Sequence, residues 1–226
     1  MIPLHDDNPT RNFPLFTILV IAANVMVFFF WQASTGLEQS VHLAAFTPSE
    51  FYSRGILKEG PYVFTSMFMH GGIMHLVSNM WFLWLFGNNI EDCCGKIRFV
   101  IFYLLCGIIA TMVYAYFNRH SNIPLVGASG AISGVLGAYV ITFPQARILT
   151  LLPLGIFIRT FYLPAWTFLG IWIGFQFLKQ AAISGSHNHQ QSGGVAFMAH
   201  IAGFLAGMIF IFFFRRNDWR RQRSSY

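Results

Sequence analysis

Long apolar runs separated by short polar breaks dominate the chain. Windows near 14–33, 70–88, 97–117, 129–145, 161–182 and 195–214 each meet or approach the roughly 20 mostly apolar residues that a helix needs to cross hydrocarbon. The pattern predicts an all-α membrane protein built on six transmembrane helices. One apolar stretch, RILTLLPLGIFIRTFYLPAW, is interrupted by Pro153, Arg159 and Pro164, so 146–160 reads as a connector lying partly in the interface. The longest segment between spans, 34–69, mixes aromatics, charges and proline, as a folded first loop embedded in the interface would. The segment ISGSHNHQQSGG, 183–194, is polar and reads as a flexible loop. No repeat is evident, and the reading is a single membrane domain over 1–226 with short tails at 1–12 and 215–226.

Composition agrees with a bilayer as solvent: 55% of residues are hydrophobic and 10% charged, with a mean hydropathy of +0.55. The charges then give an orientation. Arg11, Lys96, Arg98, Arg147 and Arg159 fall on the same side as Arg215, Arg216, Arg220, Arg221 and Arg223 of the tail. Arg54, Lys58, Arg119 and Lys179 fall on the other. Ten against four places both termini in the cytoplasm, across a bacterial-type plasma membrane. The net charge of +6 is thus accounted for by topology and anionic lipid, without nucleic acid. No cleavable signal is evident, because the first apolar segment follows the acidic HDDNPTRN and is long enough to stay as an anchor. Cys93, Cys94 and Cys106 provide no disulfide framework and read as free thiols. His187 and His189, in the polar loop, are read as binding no metal, and no cofactor is expected.

Polar groups inside spans are costly and ask for a partner or a purpose. The second span opens with HGGIMHLVSN, in which His75 and Asn79 are four apart and share a helix face. The fourth opens at Ser129 and carries two rows of small residues: Ser129, Ser133 and Gly137, then Gly130, Gly134 and Ala138. The sixth aligns His200 with Gly203 and Gly207, a GxxxG pair that admits a close neighbour. Contact between the fourth and sixth spans would bring Ser129 toward His200. All three polar positions sit near the starts of spans that enter from the outer side, so they share a depth. From Gly130 to Phe143 are fourteen residues, roughly 21 Å of helix against roughly 30 Å of hydrocarbon. Ser129 is therefore expected below the outer surface, where a wet cavity tolerates a helix terminus.

A serine hydroxyl needs a base to become a nucleophile, and neutral histidine is the usual one. Ser129 and His200 would form such a dyad, with no intramembrane Asp or Glu to orient the histidine. Attack on a carbonyl develops an oxyanion. His75, Asn79 and the backbone N–H groups at Ser129 are the candidate donors, aided by the helix dipole. A packing role for these polar residues is the alternative.

With these motifs in place, the chain resembles the rhomboid intramembrane serine proteases. HGGIMHLVSN, GASG around Ser129 and AHIAGFLAG around His200 lie in the expected order, and the likeness extends from about 12 to 214. The resemblance implies a six-helix bundle with a cavity open to the extracytoplasmic side and cleavage of transmembrane protein substrates in or near their membrane-spanning segments. It implies Ser129 as nucleophile, His200 as general base, and His75 and Asn79 as oxyanion helpers. His70 would be structural, with Gly127 and Gly130 flanking the nucleophile. Two departures stand out. Pro61 and Tyr62 occupy the positions where many members carry Trp-Arg, which touches loop packing. Ser133 replaces an aromatic found in some members, which removes one stacking partner for His200. The fifth span, with Trp166, Phe168, Trp172 and Phe175, resembles the family's lateral gate by position, while a lipid-facing aromatic helix fits equally.

Other readings make different demands. A non-catalytic relative would usually lack one of Ser129, His200, His75 and Asn79, all present here. A transporter or channel predicts polar positions through the full depth rather than near one side. A metalloprotease would need an HExxH arrangement, and the spacing of His70 and His75 does not supply it.

Overall fold

The computed structural model describes residues 1–154, 157–184 and 197–217. The chain opens with strand β1 (Ile2–Asp6) and then forms α1 (Leu15–Met26), which continues through a π-helical turn, Val27–Gln32, into α2 (Ala33–Thr35). The first loop folds into α3 (Leu37–Ala44), α4 (Pro48–Arg54), α5 (Ile56–Thr65) and a 3-10 turn, Ser66–Phe68. Then come α6 (Ile73–Cys94), α7 (Lys96–Phe117) and α8 (Ser129–Thr142). A hairpin, β2 (Arg147–Leu154) and β3 (Phe157–Pro164), precedes α9 (Ala165–Ser184) and α10 (Phe197–Phe214). His187, His189, Arg220, Arg221 and Arg223 lie outside the described residues.

The molecule is mostly helical but not all-α. β1, β2 and β3 form a three-stranded antiparallel sheet in that order, with Ile2 opposite Leu151 and Arg147 opposite Pro164. The connector expected over 146–160 is thus the larger part of a hairpin. Pro153, which would break a helix, is tolerated there because a hairpin needs no i to i−4 bond, and Arg159 is exposed on β3. Among the described residues, three helical segments are long and apolar enough to cross a membrane: Leu15–Thr35, Lys96–Phe117 and Phe197–Phe214. α8 is shorter at 14 residues. α6 carries Asn88, Asn89, Glu91 and Asp92 in its last turns, which lowers its hydropathy.

Glycine sets the central contact. A Cβ at Gly203 would collide with the Gly130 carbonyl oxygen, one at Gly207 with that of Gly134, and one at Gly137 with that of Phe204. The backbones of α8 and α10 therefore meet directly, as the two small-residue rows predict. Around this seam Leu83, Phe86, Phe102 and Tyr139 are buried, and Phe86 packs edge-on against Tyr139 at 4.9 Å between centroids. Cys93, Cys94 and Cys106 are buried free thiols.

Long-range polar contacts fasten the ends of the helices. Pro14 precedes α1 and offers no side-chain cap. Glu91 of α6 takes that role, accepting from the Phe16 N–H at 3.0 Å, the Thr17 N–H at 2.7 Å and the Thr17 hydroxyl at 2.8 Å. Nearby, Asp6 accepts from the Tyr139 hydroxyl at 2.6 Å and from Asn89 Nδ2 at 2.9 Å. Asn8 Nδ2 donates to Asn89 Oδ1 at 2.6 Å, and the Trp81 indole N–H donates to the Pro3 carbonyl at 2.6 Å. Burial raises the Asp6 carboxyl above its ordinary value, against the opposing hydrogen bond from Tyr139. Asp7 shifts the other way. Burial opposes its ionisation, but the side-chain and backbone hydrogen bonds and the charge of Arg147 outweigh that and hold it below its ordinary value.

Candidate active site

Ser129 is the first residue of α8, so its side chain stands where the helix has not yet used its N–H groups. The turn before it is specific. Gly127 has φ +124°, which L side chains rarely adopt. A Cβ there would come within 2.8 Å of His75 Cε1 and 3.5 Å of Ser129 Oγ, so the two side chains converge on this glycine. The Gly127 N–H donates to the Ser66 carbonyl at 2.9 Å. Phe46 and Leu125 form an isolated antiparallel bridge that fastens the first loop to the same segment.

Ser129 Oγ and His200 Nε2 are 2.8 Å apart. The other ring nitrogen of His200, Nδ1, lies 2.9 Å from Gln176 Oε1 on α9. Trp172, one turn earlier on α9, tilts 33° to the imidazole with centroids 6.1 Å apart, and Phe197 approaches its edge at 6.4 Å. No ring comes from Ser133, which is buried and donates to the Ser129 carbonyl at 2.6 Å. The aromatic neighbours of His200 therefore come from α9 and from the start of α10.

A cavity of about 270 Å³ opens onto this pair, lined by His75, Asn79, Ser129, Trp172, Gln176, Lys179 and His200 among others. The sequence-predicted residues Ser129, His200, His75 and Asn79 are thus brought to one place. Asn79 Nδ2 is buried and, among the described residues, has no hydrogen-bond partner. His70 does not line the cavity. It is buried beside His75 in an edge contact of 5.2 Å, and Gln32 clasps its backbone, accepting from the N–H at 2.9 Å and donating to the carbonyl at 3.0 Å. Gly130, Gly203 and Gly207 lie in the seam of α8 and α10 rather than at the cavity. Of the fifth-span aromatics, Trp166 and Phe175 are exposed, Phe168 is buried and Trp172 faces the site. Sequence reasoning missed Gln176 and Lys179 as cavity residues. The signal for Gln176 was one amide in the otherwise apolar run AWTFLGIWIGFQFL.

Apolar helices around a half-buried serine and histidine, with a buried amide nitrogen that has no partner among the described residues, define a multi-pass integral membrane protein with a polar site within its bundle. The rhomboid domain model matches residues 58–217, and the chain belongs to the rhomboid family. It is 31% identical over 195 residues to rhomboid protease GluP of Bacillus subtilis, covering 85% of this chain and 34% of that protein. It is also 31% identical over 163 residues to the mitochondrial presenilin-associated rhomboid-like protein A of Danio rerio, covering 70% of this chain and 38% of that one. The mitochondrial rhomboid protein 1 of Saccharomyces cerevisiae is 28% identical over 163 residues, with 70% and 43% covered. The chain spans about a third to under a half of the length of these curated relatives.

Proposed function

We propose that the chain is an intramembrane serine endopeptidase that cleaves transmembrane protein substrates in or near their membrane-spanning segments. The observation that carries this reading is the 2.8 Å approach of Ser129 Oγ to His200 Nε2 at the head of α8. In the reaction, His200 Nε2 takes the hydroxyl proton as Oγ attacks the scissile carbonyl. Negative charge moves to the carbonyl oxygen, where Asn79 Nδ2, His75 and the Ser129 backbone N–H are the donors. The unpartnered amide of Asn79 supports that assignment, since a buried donor without an acceptor is costly unless something uses it. On collapse His200 returns its proton to the departing amine, leaving an acyl-serine. Water then attacks the ester with the same base, releasing the acid and restoring Ser129. His70 serves the architecture, an assignment supported by its position behind His75.

The reading includes one domain over 1–226 with six membrane-crossing helices, the first loop embedded in the interface, and a water-filled cavity open to the extracytoplasmic side. The sidedness is supported by the lysine and arginine count and by the positions of Arg11, Arg147 and Arg216. Their backbone N–H groups contact Asp92, Asp7 and Cys93, at the end away from Ser129. The membrane is taken to be a bacterial-type plasma membrane, as the bacterial relative allows; other relatives are named mitochondrial.

Purified protein in liposomes with a tagged single-span substrate tests the chemistry. Ser129→Ala and His200→Ala are each expected to lower cleavage by about 10⁴-fold or more. Cleavage that persists in Ser129→Ala protein rejects the serine mechanism. Replacing helix-breaking residues of the substrate with leucine is expected to slow cleavage, since the scissile segment must unwind to reach Oγ.

A further inference from the structure

Among the described residues, the partner at the second ring nitrogen of His200 is an amide rather than a carboxylate. Gln176 lies in α9 and is only 8% exposed, with Oε1 2.9 Å from His200 Nδ1. We infer that Gln176 is a positioning residue that fixes the tautomer and orientation of the base.

A neutral imidazole carries one N–H, and a general base must keep its lone pair on the nitrogen that faces the nucleophile. An amide oxygen at Nδ1 is satisfied only if Nδ1 holds the proton. Nε2 is then the acceptor, 2.8 Å from Ser129 Oγ. The opposite tautomer would set a ring N–H against the serine and leave the amide oxygen without a donor. A carboxylate in this place would do the same and add charge, but burying that charge within the membrane is expensive. Glutamine supplies the acceptor alone. Trp172 lies four residues earlier on the same helix and covers the ring, so α9 holds the imidazole by one edge and one face. The contact joins α9 to α10 across 24 residues of sequence.

This inference rests on the proteolytic reading of Ser129 and His200, and the test separates the two. The full chain in liposomes is assayed for kcat, KM and pH dependence as wild type, Gln176→Met and Gln176→Glu. Gln176→Met is expected to lower kcat by about 10- to 100-fold, with KM changed by less than about twofold. Gln176→Glu restores the acceptor, so it is expected to recover most of that loss. Its added carboxylate stabilises the imidazolium, so the acidic limb of its kcat profile moves to higher pH by about 1 unit or more. A Gln176→Met protein with wild-type kcat overturns the positioning role alone, and so does a Gln176→Glu profile that superimposes on wild type. A wild type that does not cleave rejects the proteolytic reading instead. The role is then still judged by nitrogen-15 shifts of His200 at neutral pH: the Nδ1–H form supports it and the Nε2–H form overturns it.

Discussion

At its C-terminal end α8 presents Tyr139, whose hydroxyl is spent on Asp6, which also accepts from Asn89, which in turn accepts from Asn8. At its N-terminal end the same helix presents Ser129 to a cavity where the buried Asn79 amide nitrogen has no acceptor among the described residues. Tyr139, Asp6, Asn89 and Asn8 satisfy one another at the first end, whereas Asn79 Nδ2 at the other has no such partner among the described residues. Burying an unmade hydrogen bond costs about 1–3 kcal/mol, so on the proposed reading the two ends obey different rules: the first serves stability, and the second gives some up to keep a donor for a reacting oxygen.

Asn79→Ala probes the reserved donor and has the largest expected effect in this comparison. Loss of one oxyanion donor lowers kcat by about 100- to 1,000-fold, and the melting temperature in detergent is expected to move much less than for changes at the far end. An Asn79→Ala protein that cleaves normally would remove the distinction between the ends. Glu91→Ala is the converse. It strips three hydrogen bonds from the start of α1 and is expected to cost about 2 kcal/mol, at the upper end for a lost cap, with kcat unchanged once the protein is folded. A fall in kcat without a fall in stability would show that the ends are coupled.

The smallest effect concerns Asp7 and Arg147, a pair at the protein surface. Asp7 is held below its ordinary value of 3.8, so the stability it contributes is complete above that value and fades as pH falls through the lower, folded-state value. Asp6, raised by burial, works in the opposite sense, its contribution being complete in acid and lost as pH rises through its folded-state value. Asp7→Asn is therefore expected to flatten the acid limb of a plot of melting temperature against pH, while leaving the limb due to Asp6. An acid limb as steep as that of the wild type would mean that Arg147 does not stabilise the folded state through Asp7.

Much of the site was legible because helix periodicity and depth constrain one another. His75 and Asn79 share a face at a spacing of four, Gly203 and Gly207 demand a close neighbour, and Gly130, Gly134 and Gly137 offer one. The packing of α8 on α10 follows from these residues alone. The hairpin was not legible. β2 and β3 are largely apolar on both faces, so the alternation that marks a half-buried strand is missing, and β1 pairs with β2 from the far end of the sequence, Ile2 opposite Leu151 and Asp6 opposite Ile148. Gln176 escaped for another reason. A single glutamine among aromatics has no periodic signature, and its partner on α10 is set by tertiary packing. The ring partner of His200 comes from Trp172 rather than position 133, a substitution between helices that no local pattern records.

The cap supplied by Glu91 also bears on how the chain comes together during synthesis. The amides of Phe16 and Thr17 leave the ribosome 74 to 75 residues ahead of the carboxylate that will receive them. Until then the first turn of α1 must be solvated, which holds it at the water-facing boundary of the bilayer. A nascent chain stopped short of residue 91 carries a first helix whose beginning is still open. α1 acquires its final starting point only after α6 has been made and has packed beside it, so the bundle is assembled in an order written into the distance between two hydrogen-bonding partners.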